Sequence, residues 1–129
     1  KYWALIAADA YKGDLEPIKP LLKDILNDDY SVAIMAAEIL VKRYNDPLAL
    51  QSFKKFLKSD NEPLALQAAI SLRRIGDKAA PLVPVIENEI FPIYAGDVWG
   101  RYKNWSYPMF IGMALDQTLI KCGKVVKVR

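Results

Sequence analysis

The sequence predicts an all-α fold, an α-α superhelix of about three helical hairpins followed by a capping helix. Three observations predict it. One short apolar phrase occurs three times, each copy is followed by a second helical pattern that opens with Asp, and no segment has a convincing strand pattern. A chain of 129 residues that is 53% hydrophobic and 26% charged is typical of one folded domain, residues 1–129.

The recurring phrase reads "YWALIAADAY" at 2–11, "SVAIMAAEIL" at 31–40 and "PLALQAAISL" at 63–72. In the second copy Val32, Met35 and Ile39 have the spacing of one helix face, while Ile34 and Ala37 make a second face apolar. A helix that is apolar on several faces must be covered on more than one side. Each copy also contains an alanine pair that allows close helix packing: Ala7-Ala8, Ala36-Ala37 and Ala68-Ala69.

A second helix is predicted after each copy. These segments read "DLEPIKPLLKDILND" from Asp14, "DPLALQSFKKFLKSD" from Asp46 and "DKAAPLVPVIENEI" from Asp77. The Asp carboxylate can accept from free N–H groups of the first turn, and Pro is tolerated there because its missing N–H is not needed. Gly13 and Gly76 are expected to end the first helices of copies one and three. A helical unit of about 30 residues that repeats indicates a solenoid.

The period breaks after Ile90. Residues 91–106 have no helical periodicity and are predicted to form a long aromatic loop, and residues 107–123 are predicted to form the capping helix, with Gly123 as its stop. Residues 91–107 hold six of the 14 aromatic residues. The candidate interaction residues of this segment are Tyr94, Asp97, Trp99, Arg101, Tyr102 and Trp105.

Aromatic residues interleaved with Arg are typical of binding hot spots and of surfaces on which sugars or bases stack. Three roles are open for the segment. It could fold back and seal the apolar end of the solenoid, contact another protein or domain, or bind a ligand directly.

The residue inventory predicts no catalytic, cofactor-binding or metal-binding residue. The chain has no His, which excludes His-based catalysis and His-ligated metals. The short acidic turns at 27–29 and 59–61 lack the spacing of a calcium loop and are typical of helix caps. The lone Cys122 lies beside Lys121 and Lys124, which could lower its pKa, but a structural thiol is the favoured interpretation.

Charge and hydropathy favour neither nucleic acid nor a membrane as a partner. The net charge of +3 is small, although the last nine residues, "KCGKVVKVR", are basic. No apolar run approaches the roughly 20 residues that span a bilayer.

The phrase "V-x-I-x-A-A-E-x-L" resembles the HEAT repeat in its short bacterial form, and the resemblance covers residues 1 to about 90. The opening "YWALIAADAYKGD", with "AAEIL", "DPLAL" and "LKSDNEPLALQAAISLRRIGDKAAPLVPVI", is similar to the HEAT-type segment at the C-terminus of some bacterial sulfatases. The tetratricopeptide and ankyrin patterns are not matched.

The sulfatase resemblance implies a domain appended to a periplasmic or secreted sulfate-ester hydrolase. The sulfatase signature C/S-x-P-S-R is absent, so no catalytic residue carries over and the expected partner is a catalytic domain of the same chain or another protein. The chain opens inside a helical pattern, so we expect a C-terminal fragment of a longer chain. We also expect the loop, rather than the repeats, to make the contact.

Two other functions remain open. A nucleic-acid module would need Lys or Arg residues on successive second helices. The first two second helices have Lys19, Lys23, Lys54, Lys55 and Lys58. The third has Glu87 and Glu89 and, from Ala79 to Ile90, no Lys or Arg. A free-standing scaffold for a peptide or protein partner is the other alternative.

Overall fold

The computed structural model describes residues 2–28, 31–94 and 107–125. These residues form helices and turns and contain no strand, so the all-α prediction is confirmed. The α-helices before residue 76 are α1 (Tyr2–Ala10), α2 (Lys19–Ile25), α3 (Ser31–Tyr44), α4 (Pro47–Leu57) and α5 (Glu62–Ile75). A 3-10 turn, Glu16–Ile18, precedes α2.

Segment 76–94 is one continuous but irregular helical stretch. It consists of a 3-10 helix (Gly76–Leu82), α6 (Val83–Val85), a π-helix (Ile86–Ile90) and α7 (Phe91–Tyr94). Pro81 and Pro84 lack the N–H that a regular ladder needs, which accounts for the change of helix type along the segment. The aromatic loop was predicted to begin at residue 91, whereas Phe91–Tyr94 is helical. The last element is α8 (Tyr107–Lys121).

The first helices of the three copies pack side by side. α1 packs on α3, α3 on α5, and α5 on α8, while α2 and α4 both lie against α3 and α4 also contacts α5. The largest fully buried side chains come from every hairpin and from α8, and they include Leu22, Ile34, Phe53, Leu72, Ile86 and Leu115. The core therefore runs along the row of helices and is shared between sequence-adjacent units.

Local chemistry explains where these helices begin. Asp46 accepts from the N–H groups of Leu48 and Ala49 at 2.9 and 3.2 Å, and Pro47 follows as the first helical residue of α4. Asn61 caps α5 in the same way. Asp14 accepts from the Glu16 N–H at 2.9 Å and begins the 3-10 turn.

Backbone conformations with positive φ end three helices. Gly76 has φ +70 after α5, and Gly123 has φ +86 after α8, as predicted for both. Asn45 has φ +50 after α3 and its N–H donates to the Val41 carbonyl at 3.0 Å. The prediction for Gly13 was wrong, because α1 ends at Ala10 and Gly13 does not have a positive φ.

Candidate functional site

Tyr94 is the one predicted interaction residue within the described part of the chain. It ends α7, it is 5% exposed, and its Oη donates to the Leu57 carbonyl at 2.7 Å. Burial, with the nearby Glu62 charge, raises the pKa of Tyr94. The hydrogen bond joins the end of α7 to the end of α4.

Five other predicted residues lie outside the described residues: Asp97, Trp99, Arg101, Tyr102 and Trp105. The interaction role assigned to them stays a prediction.

An apolar groove of about 320 Å³ lies between α5 and α8. Leu66 and Ile70 of α5 form one wall, and Phe110 and Met113 of α8 form the other. Arg73 and Gln117, both exposed, also line the groove and give it a polar component. Phe110 and Met113 are 50% and 47% exposed, so the Phe110 ring and the Met113 thioether are both open to direct contact with a partner.

Most of the outward residues of α8 are apolar. Tyr107, Phe110, Met113 and Ile120 are all between 40% and 51% exposed. The outer face of a terminal helix that ends a stack in water is expected to be polar. The apolar groove and this outward row together define what we call the α8 surface: Leu66, Ile70, Tyr107, Phe110, Met113 and Ile120.

A polar cluster is centred on Glu38, a buried carboxylate of α3. Arg74 of α5 donates from Nε to Oε1 at 3.0 Å and to Oε2 at 3.2 Å, and from Nη2 to Oε1 at 2.8 Å. The Ser71 hydroxyl donates to Oε1 at 2.5 Å and Lys42 Nζ lies 3.3 Å from Oε2. Burial alone would raise the pKa of Glu38. The hydrogen bonds from Arg74 and Ser71 and the charges of Arg74 and Lys42 outweigh burial, so the net pKa is lowered.

The cluster follows the repeat. Asp9 and Glu38 each come directly after the alanine pair of their copy, and Lys42 and Arg74 each lie five residues after the second alanine. Each acid pairs with the base of the next copy, Asp9 with Lys42 at 3.3 Å and Glu38 with Arg74 at 2.8 Å. Protein groups satisfy both carboxylate oxygens of Glu38, so the cluster joins α3 to α5.

A further set of contacts ties the carboxyl ends of the first helices. Arg43 donates to the Gly13 carbonyl at 3.2 Å, Lys78 to the Lys42 carbonyl at 2.6 Å, and Lys121 to the Arg73 carbonyl at 2.7 Å. The Lys42 and Arg73 carbonyls lie in the last turns of α3 and α5, where a helix leaves carbonyls without a helical partner, whereas Gly13 lies in the turn after α1. Sequence reasoning missed both sets, although the recurring "AAD" and "AAE" were a signal for the first.

Cys122 has the environment of a structural thiol. It is half-buried, and its Sγ–H donates to the Gly76 carbonyl at 3.7 Å. Burial and the charge of Asp77 raise the pKa of Cys122, which opposes the lowering that the flanking lysines suggested.

Residues 2–28, 31–94 and 107–125 hold no group of three or more acidic, Cys or His side chains that could bind a metal ion. None of the helices in these ranges is long and apolar enough to cross a membrane. Comparison with protein-family models, with curated proteins and with solved structures found no match to the chain.

Proposed function

We propose that the chain is a non-catalytic HEAT-like repeat domain, a solenoid of helical hairpins that serves as a structural and interaction module appended to a sulfatase catalytic domain. The observation that carries the interaction role is the α8 surface, which leaves large apolar side chains uncovered among the described residues. Apolar patches of this kind on a folded domain mark contact sites for proteins.

The repeat architecture draws support from the order of contacts. Each first helix packs on the first helix of the next copy, and the acid–base pairs recur in the same register across two interfaces. Units that contact their sequence neighbours through equivalent positions are typical of solenoids.

The α8 surface is of the kind that binding hot spots use. Phe110 and Met113 offer an aromatic ring and a flexible thioether, and Arg73 offers a guanidinium beside them. The aromatic segment 95–106 connects directly to Tyr107, the first residue of α8. We therefore place the contact with the catalytic domain at the α8 surface and this segment together.

Attachment to a sulfatase rests on the sequence resemblance, and the interaction role rests on the α8 surface, so each has its own test. In the polypeptide that contains this chain, a C/S-x-P-S-R motif upstream of residue 1 is expected; its absence would refute the sulfatase link alone.

The interaction role is tested in that polypeptide by two double substitutions, Phe110→Ser with Met113→Ser and Trp99→Ala with Trp105→Ala. We expect each pair to lower aryl-sulfate hydrolysis or thermal stability of the whole protein. Leu48→Ser on α4 is the control, because Leu48 is a large apolar residue, 74% exposed, that lies away from the groove. Activity and stability that match the Leu48→Ser protein would refute the proposed contact.

Four of the five lysines that motivated the nucleic-acid alternative have a carboxylate partner. Lys54 and Lys58 both pair with Glu89, at 3.1 and 2.7 Å, and these contacts lower the pKa of Glu89. Lys23 lies 4.0 Å from Asp46. Phosphates would have to displace these carboxylates, so we do not favour nucleic acid as the partner.

A further inference from the structure

The three copies share the motif A-x-x-A-A in the same register. It comprises Ala4, Ala7 and Ala8 in α1, Ala33, Ala36 and Ala37 in α3, and Ala65, Ala68 and Ala69 in α5. All six alanines of α3 and α5 have 0% exposure. In α1, by contrast, Ala4 and Ala7 are exposed.

The difference identifies which side of the hairpin this motif occupies. α3 packs on α1, where Ala8 is buried at 7% exposure but Ala4 and Ala7 are exposed, so the first two alanines of the motif do not face the following hairpin. The equivalent residues of α3 and α5 must then be covered from the side of the preceding hairpin, which α1 alone lacks. The exposed side of α1 is therefore continuous in register with two interfaces that the structure already contains.

The shape of the exposed side fits this interpretation. A groove of about 340 Å³ runs between α1 and the 3-10 turn, lined by Ala4, Ala7 and Tyr11 on one side and by Leu15 and Ile18 on the other. Tyr11 is 50% exposed, whereas its equivalents Leu40 and Leu72 are fully buried.

A large apolar residue is also exposed on the second helix of this hairpin. Leu21 of α2 is 56% exposed. Trp3, at the start of α1, is 79% exposed. The outer side of α1 thus presents, at Ala4, Ala7 and Tyr11, positions that are core positions one repeat later.

We propose that the outer side of α1 and of the Glu16–Ile18 turn is the docking surface for one more helical hairpin of the same repeat pattern, placed before α1 in the same polypeptide. This inference goes beyond the proposed function, since it concerns the opposite end of the row of helices from the α8 surface. The added hairpin must supply a first and a second helix equivalent to α3 and α4, because both of those helices pack on α5.

The chain supplies its own probe. Glu62 and Lys1 occupy equivalent positions, so a duplicate of residues 31–61 inserted directly before Lys1 places Ala4, Ala7 and Ala8 where Ala65, Ala68 and Ala69 lie after the natural hairpin. We expect the extended chain to unfold in one transition with a Tm about 5–10 °C higher. Its urea m-value should rise by about a quarter, in proportion to the added surface. The emission of Trp3, measured as the difference from a Trp3→Phe variant, should shift to shorter wavelength.

Substitution of one alanine tests whether the gain in Tm comes from docking of the added hairpin on α1 or only from the greater length of the chain. Ala7→Glu in the extended chain should abolish the gain in Tm and the Trp3 shift, and it should leave the unextended chain unchanged because Ala7 is exposed there. Ala80→Glu, at an exposed alanine outside the docking surface, should leave the gain intact.

Three outcomes would overturn the proposal. One is an added hairpin that unfolds separately or leaves Trp3 emission unchanged. Another is an extended chain that does not unfold cooperatively. The last is concentration-dependent self-association of the unextended chain that Ala7→Glu abolishes, which would make a second copy the occupant.

Discussion

Replacing Arg74 with Gln tests how much the Glu38–Arg74 ion pair between α3 and α5 contributes to stability. The substitution removes the guanidinium that donates three contacts of 2.8 to 3.2 Å to the Glu38 carboxylate. Hydrogen bonds to a charged group contribute about 1.5–3 kcal/mol each when they are removed singly. The Arg74 side chain is 53% exposed, so water recovers much of that, while the Glu38 side chain at 7% is left with Ser71 and Lys42.

We therefore expect the free energy of unfolding to fall by about 2 kcal/mol near neutral pH, a Tm decrease of about 6–10 °C for a chain of this length. Arg73→Gln is the matched control. Arg73 is the neighbouring residue of the same helix, it is exposed, and no contact from its side chain to Glu38 exists, so its substitution should change stability by less than about 0.5 kcal/mol.

The pH dependence of the stability loss in Arg74→Gln distinguishes the loss of an ion pair from the loss of packing. The folded-state pKa of Glu38 is lowered from 4.5, so the ionised carboxylate stabilises the native state fully above that value, and the stabilisation is lost as the pH falls through the lowered pKa. Urea unfolding followed by circular dichroism should show the Arg74→Gln deficit shrinking over that range. Equal deficits for Arg73→Gln and Arg74→Gln, or an Arg74→Gln deficit that does not change with acid, would refute the reasoning.

Asp46→Ala should lower the free energy of unfolding by about 1–2 kcal/mol in urea titrations, because two N–H groups of α4 lose their acceptor. Asp24→Ala, at an exposed position of α2 away from that cap, should not reproduce the loss. Gly76→Ala should cost about 1–3 kcal/mol in the same assay, since φ +70 with ψ −131 is a glycine conformation, and an unchanged midpoint would contradict that assignment. Cys122 should react with iodoacetamide at least about tenfold more slowly in the folded chain than in urea, because its thiol is half-buried and its pKa is raised; equal rates would show a reactive thiol instead.

The elements that were predictable are those that local chemistry determines. The alanine pairs located α1, α3 and α5, and Asp46 with Pro47 located the start of α4, because cap and turn residues act on their own backbone. Segment 76–94 was recognised as helical only to residue 90. Pro92 and the aromatic residues after Ile90 suggested a loop, but packing of Phe91 and Tyr94 into the core continues the helix for four residues.

The contacts between copies were not predictable in the same way. Glu38 follows an alanine pair and looks like a polar residue on an apolar helix, and nothing local shows that it is buried by Arg74, 36 residues later. Likewise, the sequence spacing of Phe110 and Met113 indicated a helix face, but which face stays exposed depends on how α8 lies on α5. Both features depend on how the helices are placed relative to one another, and the periodicity within a single helix does not report that placement.

The cations that bind carbonyls of the preceding unit have a consequence for folding during synthesis. Arg43, Lys78 and Lys121 each lie later in the chain than the carbonyl they bind, and so does each base that pairs with Asp9 or Glu38. During synthesis a hairpin can thus be tied down only when the following one has emerged. The most recent hairpin therefore lacks these contacts until the next hairpin has been synthesised.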